Sequence, residues 1–470
     1  MDEPRPLILR AEGALLRTRP ALEIFWAGLG QAPLATLGLL ARHPMNPAAI
    51  QAGLGDRITL RADLIPLNSQ VAALVDGAHS RGQPTILVSD APTAIVTQVA
   101  KAHGITDTMS TADPAALAYA LAADYGAGNY DLVSANRADL PALRMAHTAY
   151  FIGRTGDSLR ADDPRQTIRT LPADHDRAAI IKALRPHQWV KNVLLFLPMI
   201  AAHDFTLSTL LTVLVGIAAF SAAASSIYVV NDLLDLDADR LHATKCNRPF
   251  AAGRVPLGTG MGAGLAMAAI AIGLGAALGA AFLAVIVVYM VLSLAYSLRL
   301  KRMRWVDIFC LAALYTLRVV AGAAAGRVDV SIYMLVFIFP IFVTLGCVKR
   351  MTELALAKDD NRLPGRGYGR SDLPDLLNMA GVGMVGALTI FTLYALSDQG
   401  RTLYPTTWIL LLALVPLAAW LIRMIALGYS GRQDYDPIVF ALRDRLGVGL
   451  LLITLSLMFW AAGLWSEWFG

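Results

Sequence analysis

From Trp189 to the end of the chain, long uncharged apolar stretches recur with only short charged interruptions between them. A run of ~20 apolar residues is the length of helix that crosses the hydrocarbon core of a bilayer. In lipid the backbone of such a run has to satisfy its own N–H and C=O groups, which a helix does. Spans of this kind fall near 189–203, 207–230, 257–279, 281–299, 305–324, 331–348, 376–396, 405–427 and 446–466, about nine helices in all. Only 16% of the 470 residues are charged and 56% are hydrophobic, whereas a soluble globular domain carries about 25% charged residues. A soluble protein is therefore excluded. Residues 44 to 185 are different in texture and read as ordinary soluble sequence, so the chain divides into two regions.

Lys and Arg gather after the second, fourth, sixth and eighth helices: Arg240, Lys245, Arg248 and Arg254; Arg299, Lys301, Arg302 and Arg304; Lys349, Arg350, Lys358, Arg362, Arg366 and Arg370; then Arg432, Arg443 and Arg445. The intervening turns carry little positive charge, so the positive-inside rule puts the basic loops and the N-terminal region in the cytoplasm, with Gly470 outside. The inner membrane of a bacterium is the expected location. The start, Met1-Asp2-Glu3-Pro4-Arg5, is acidic where a secretion signal is basic. Cys246, Cys310 and Cys347 are widely separated and read as free thiols. Residues 22 to 42 approach the length of a span, but Gln31, Pro33 and three glycines dilute them; an interfacial or cap helix is the expected form.

The strongest chemical signal is Asn231-Asp232-Leu233-Leu234-Asp235-Leu236-Asp237-Ala238-Asp239 at the end of the second helix. On a helix Asp232, Asp235 and Asp239 fall within about 60° of one another, while Asp237 points elsewhere. Like charges this close raise one another's pKa and call for a cation. Oxygen ligands suit Mg²⁺, which typically takes one or two carboxylates together with substrate phosphates. A solvated acidic helix end is the plainer alternative, but Lys245, Arg248 and Arg254 follow directly. Carboxylates beside basic residues describe a site for a metal-bound polyphosphate.

This motif, the preceding Arg185-Pro186-His187-Gln188-Trp189-Val190-Lys191-Asn192 and the following Thr244-Lys245-Cys246-Asn247-Arg248-Pro249-Phe250-Ala251-Ala252-Gly253 resemble the UbiA superfamily of intramembrane prenyltransferases. The resemblance covers residues 180 to 470 and continues through Asp436-Pro437 and Ala441-Leu442-Arg443-Asp444-Arg445. Within the superfamily it is nearest to the branch that transfers phosphoribose to decaprenyl phosphate. The implied fold is an all-α polytopic membrane bundle over 185–470. The implied metal ligands and catalytic groups are Asp232, Asp235 and Asp239, with Mg²⁺ as cofactor.

The aromatic prenyltransferases of this superfamily usually carry a second acidic motif, DxxxD, after the fourth helix. Here Tyr296 and Lys301 fit that loop, but Asp307 is followed four residues later by Leu311, and basic residues surround it. Arg318 lies well inside the next helix; an arginine there costs roughly 2.5 to 3.5 kcal/mol on insertion scales and should face the interior to hold an anion, unless a buried carboxylate pairs with it. One metal-bound diphosphate plus one separate anion fits transfer of 5-phosphoribose from phosphoribosyl diphosphate to a polyprenyl phosphate. The substrate-binding residues would be Lys191, Asn192, Asn231, Lys245, Arg248, Tyr296, Lys301, Arg318, Lys349 and Arg350. The alternative within the same fold moves a prenyl group from its diphosphate to a small aromatic acceptor. A carrier or channel is a third reading, which predicts acidic residues near mid-membrane rather than at a helix end. The expected partners are these two substrates and the membrane, with no nucleic acid; a homo-oligomer is compatible with the sequence.

Residues 1 to 170 alternate β-rich runs at Pro6 to Leu9, Thr85 to Ser89, Asp131 to Ser134 and His147 to Ile152 with helical stretches, which suggests a parallel α/β sheet. The order resembles the Rossmannoid haloacid-dehalogenase-like phosphatases, whose first strand ends in DxDGT. This chain reads Arg10-Ala11-Glu12-Gly13-Ala14, and the later GDxxxD motif reads Ser134-Ala135-Asn136-Arg137-Ala138-Asp139. An arginine can neither attack phosphorus nor ligate Mg²⁺, so the resemblance implies a pseudo-phosphatase, joined by a linker over 171–184 to the membrane region.

Overall fold

The computed structural model describes residues 4–44, 46–55, 57–111, 113–153, 165–173, 176, 178–329, 331–357, 366–433 and 436–469. Met1 to Glu3, linker residues 174, 175 and 177, the loop cations Lys358 and Arg362, and Gly470 lie outside them. The chain forms two compact units: residues 1–184 with 228–265, and residues 185–227 with 266–470.

In the first unit six parallel strands form a sheet: β1 (Leu7–Arg10), β2 (Thr85–Ser89), β3 (Asp107–Ser110), β4 (Asp131–Ser134), β5 (Thr148–Ile152) and β6 (Thr167–Leu171), in the order β3-β2-β1-β4-β5-β6. The expected parallel α/β sheet is present. β1 and β2 are buried throughout, as strands covered by helices on both faces must be. Leu7 registers with Thr85 on one side and Asp131 on the other, so Arg10, Ser89 and Ser134 end side by side. β3 and β6 lack a continuous apolar run and sit at the two edges, which is why the sequence did not announce them.

The apolar stretch over 22–42 is two short helices, Pro20–Gln31 and Pro33–Arg42, broken at Ala32 because the residue before proline is pushed out of helical geometry. Ile24 packs with Leu54 in the core beneath the sheet, and Trp26 packs with Val229, Leu233, Leu236 and Phe250.

Seven helices among the described residues are long and apolar enough to cross a membrane: Leu207–Leu234, Leu257–Leu278, Ala280–Leu298, Val306–Gly326, Ile332–Ala355, Arg370–Leu396 and Thr407–Tyr429. The last expected span is the shorter apolar helix Arg445–Ala461. The first is a 3₁₀ segment, Pro186–Phe196, followed by the short helix Leu197–Ala201. Its prolines, 186 and 198, each lack the N–H that a continuous ladder requires. Along the regular helices, Val287, Val288 and Val291, Val382 and Val385, and Leu452 and Ile453 are exposed apolar side chains, an outward face suited to lipid and unsuited to water. The core of the second unit runs through Tyr315, Phe342, Cys347, Val348, Met351, Trp420 and Met424.

Candidate active site

In the first unit the helix carrying the acidic motif stops at Leu234, and Asp235 precedes a second helix, Leu236–Leu241. The helical pitch survives the break, because Asp235 N donates to Asn231 O at 3.0 Å and Asp239 N to Asp235 O at 2.8 Å. Asp232 and Asp239 are each 3% exposed. One arginine joins them: Arg248 Nη1 donates to Asp232 Oδ1 at 3.2 Å and to Asp239 Oδ2 at 2.6 Å. Burial raises the Asp239 carboxyl above its ordinary pKa even though Arg248 opposes the shift. Asp237 points away, as its position on the helix implied, and lies 3.7 Å from Arg240. Lys245 is exposed on the turn Lys245–Asn247.

Among the described residues no group of three or more His, Cys, Asp or Glu side chains lies close enough to hold a metal ion. The donor types, carboxylate and amide oxygens, are nonetheless those a hard divalent cation takes. Two carboxylates are held out of water beside a third, a guanidinium takes the place of positive charge between them, and Asn231 Oδ1 is a buried acceptor with no donor. An oxygen without a donor is costly in a protein interior unless a cation or ligand meets it.

The second unit holds two further charged groups. In one, Lys191 Nζ pairs with Asp436 Oδ2. Asp436 Oδ1 accepts from the backbone of Ile438 at 3.2 Å and Val439 at 3.3 Å. Burial opposes ionisation of Asp436, but Lys191 and Lys349 outweigh it and hold the carboxyl below its usual range. On the same segment Asn192 donates to Ser221 Oγ at 2.8 Å and accepts from Arg318 Nε at 3.2 Å. Arg318 also donates to Leu314 O and Tyr289 OH, and its guanidinium lies 5.1 to 5.3 Å from the ring centres of Phe220, Tyr289 and Tyr315. Cation–π contacts of this kind let a charge stay buried.

The other group surrounds Asp307. Arg350 Nη2 donates to Asp307 Oδ1 at 2.9 Å and to Tyr296 OH at 3.0 Å. Arg350 Nε donates to Asp307 Oδ2 and Nη1 to Glu353. Tyr296 OH donates to Asp307 at 2.8 Å, and Arg366 donates to Tyr296 at 3.0 Å. Asp307 and Arg350 are both fully buried. Lys301 sits half-buried on the nearby turn Leu300–Arg302. The expected residues thus fall into three sets: Asn231, the aspartates, Lys245 and Arg248; Lys191, Asn192, Arg318 and Lys349; and Tyr296 and Arg350, with Lys301 near them in sequence. Asp436 joins the Lys191 group although no carboxylate spacing marks it in the sequence. Its signal was Asp followed by Pro, the pattern of a helix N-cap.

Seven helices of this length and apolarity among the described residues define an integral membrane protein. Residues 193–443 match the model of the UbiA prenyltransferase family, and the chain belongs to that family of transferases. It is 30% identical to the "uncharacterized protein y4nM" of Sinorhizobium fredii, over 97% of this chain and 91% of that one. It is 32% identical to the nodulation protein NoeC of Azorhizobium caulinodans, over 59% of this chain and 92% of that one. It is also 30% identical to the decaprenyl-phosphate phosphoribosyltransferase of Mycobacterium tuberculosis, over 60% of this chain and 93% of that one.

Proposed function

We propose that the protein transfers 5-phosphoribose from phosphoribosyl diphosphate to a polyprenyl phosphate, with release of pyrophosphate, as a step toward a lipid-linked sugar of the cell envelope. The observation that carries this reading is the state of Asp307. It stands where aromatic prenyltransferases begin a second acidic motif, and here Arg350 and Tyr296 engage it fully. That leaves one carboxylate group for a metal-bound diphosphate and a basic group for a separate anion. The name of the mycobacterial relative supports the same reading.

In this reading Asp232, Asp235 and Asp239, with Asn231, hold Mg²⁺, which when bound neutralises charge developing on the departing pyrophosphate. Arg248, freed from its carboxylates, and Lys245 bind donor phosphate oxygens. Lys191, Lys349 and Arg318 hold the acceptor phosphate, with Asn192 orienting Arg318. The bond from ribose C1 to the diphosphate oxygen breaks as a bond from C1 to an acceptor phosphate oxygen forms, through an oxocarbenium-like state by analogy with glycosyl transfer. No general base is required, because the second pKa of a phosphate monoester is about 6 and the acceptor is already anionic at neutral pH. The protein resides in the bacterial inner membrane with its N-terminal domain, a pseudo-phosphatase, in the cytoplasm.

Purified full-length protein supplied with Mg²⁺, phosphoribosyl diphosphate and a polyprenyl phosphate is expected to release pyrophosphate and form a phosphoribosyl lipid detectable by mass spectrometry. Asp232→Asn with Asp239→Asn is expected to slow turnover by about 100-fold or more. Prenyl transfer from a diphosphate to a small acceptor is the second reading, favoured by the name of the family. Consumption of a prenyl diphosphate with no pyrophosphate released from the phosphoribosyl donor would put it first.

A further inference from the structure

Within the first unit, Arg240, the residue after Asp239, has a partner far away in sequence. Its Nη1 and Nη2 donate to Glu23 Oε2 at 3.1 Å and Oε1 at 2.6 Å, a two-pronged pair. Both side chains are almost wholly buried, Arg240 at 5% and Glu23 at 3% exposure. A lone glutamate in the apolar helix Pro20–Gln31 is costly to bury, and here three donors offset that cost, because Thr18 Oγ1 also donates to Glu23 Oε1 at 2.6 Å. The same helix is fixed against the motif by Trp26 on Leu233, and Arg17 donates to Ala252 O at 3.1 Å.

The pair changes the charge of the metal-binding segment. Between Asn231 and Arg248 four aspartates stand against Arg240, Lys245 and Arg248. Glu23 neutralises one of those three cations, so the segment acts with a net charge of −2 in place of −1. Arg240 has an alternative partner close by, since its Nη1 is 3.7 Å from Asp237 Oδ1. Without Glu23 that guanidinium keeps only Asp237 as a carboxylate partner, and its excess positive charge opposes a divalent cation at the neighbouring aspartates.

We infer that Glu23 is a positioning residue for the acidic motif: it fixes and neutralises Arg240, the cation next to Asp239 in the chain, and so keeps the motif negative enough to bind a divalent metal. This rests on the proposal that the motif is the metal site. It gives residues 1–31 a task in the transferase reaction that no phosphatase chemistry requires.

The test uses full-length protein in nanodiscs with Mn²⁺ as the probe and no substrate, free Mn²⁺ being counted by electron paramagnetic resonance. Glu23→Gln is expected to weaken Mn²⁺ binding by about tenfold, the effect of one uncompensated charge at short range in a partly buried site. The double variant Glu23→Gln, Arg240→Gln is expected to return within about twofold of the unmodified protein, because the competing cation is gone. A purely structural role predicts the opposite, a double variant at least as weak as the single one, and that result overturns the inference. Unchanged Mn²⁺ affinity in Glu23→Gln overturns it as well. Should Glu23→Gln not be recovered folded, Glu23→Asp and the double variant decide: near-normal binding by both is expected, and weak binding by either refutes the idea. Asp232→Asn with Asp239→Asn distinguishes the location of the metal from the role of Glu23. If that variant binds Mn²⁺ normally, the metal is not at the motif, and the assignment of the site fails together with the inference built on it.

Discussion

Asp239 and Asp307 are aspartates with almost no exposed surface, and what separates them is the arginine each one meets. Arg248 is partly exposed and reaches Asp232 and Asp239 through a single nitrogen, a contact that an incoming cation can replace. Arg350 is fully buried and engages Asp307 through two nitrogens, with Glu353 on the third. Removing one partner of such a pair costs about 3–5 kcal/mol, so an incoming ion displaces it far less readily than the Arg248 contact. At the ends of β1, β2 and β4, Glu12 meets a third environment. Ser89 Oγ donates to its Oε1, Arg10 Nε lies 3.4 Å from its Oε2, and Ser134 Oγ donates to the neighbouring Asp139 at 2.6 Å. Burial pushes the Glu12 carboxyl up to about 7, against the lowering effect of Ser89. In the unfolded chain the same group loses its proton near 4.5. Between those two pH values the folded state therefore binds more protons than the unfolded one, and stability falls as pH rises from about 4.5 to about 7, then stays level with respect to this group. Glu12→Gln is expected to abolish that fall, read as a Tm that loses the decline this group adds between pH 4.5 and pH 7. An unchanged slope of Tm against pH would show that Glu12 is not the group responsible.

The element that most departs from the regular bundle is the 3₁₀ segment Pro186–Phe196, which carries Lys191 and Asn192. Its seat is made by Gly322 on the helix Val306–Gly326. A Cβ placed at Gly322 would stand 2.0 Å from Leu195 O and 2.8 Å from Leu195 Cα. Backbone meets backbone there, and no side-chain rotation relieves the clash. Small residues at helix contacts in membranes serve this close approach. Gly322→Val is therefore expected to force the segment outward, break the Asn192 bond to Arg318, and lower both Tm and transfer activity, whereas Gly381→Ala, which faces open space, is expected to leave both near normal. Equal losses in the two variants would refute a specific seat. This contact also marks how far the sequence could be read. The regular spans were legible because the bilayer sets one length and one polarity for all of them, and strands β2 and β4 were legible because burial on both faces makes their runs continuous. The 3₁₀ segment was not, since the stretch over 189–203 is mostly apolar and only its short length, Lys191, Asn192 and Pro198 spoke against a spanning helix. At the site, the carboxylate spacing revealed the acidic motif. The sharing of Asp232 and Asp239 by Arg248, and of Asp436 by Lys191 and the pull of Lys349, arises from residues that are distant in the chain, so no local pattern encodes it.

At the scale of the whole molecule, the acidic segment takes its support from the N-terminal residues. Val229, Leu233, Leu236, Phe250, Val255 and Leu257 share one buried cluster with Trp26, Ala179 and Ala183, and residues 228–265 belong to the same compact unit as residues 1–184. Full burial of a large apolar side chain contributes about 1.5–3 kcal/mol, so stripping the cover from several of them removes a large part of what fixes the segment. Relatives such as the mycobacterial phosphoribosyltransferase match over 292 residues and 93% of their own length, which leaves no room in them for a further region of this size. In this chain, by contrast, Glu23, Arg17 and Trp26 hold the segment from outside the membrane region. A chain lacking residues 1–184 is accordingly expected to keep its apolar helices but to lose order between Tyr228 and Leu265. Trypsin is expected to cleave after Arg240 or Lys245 at least tenfold faster than in the full-length protein, as local opening that costs 1.4 kcal/mol less raises the cleavable population about tenfold. Circular dichroism should meanwhile show the bulk of the helix retained. Cleavage at the same slow rate in both forms would mean that the segment is self-supporting, and the N-terminal region would then have to act on the enzyme by some means other than holding the motif in place.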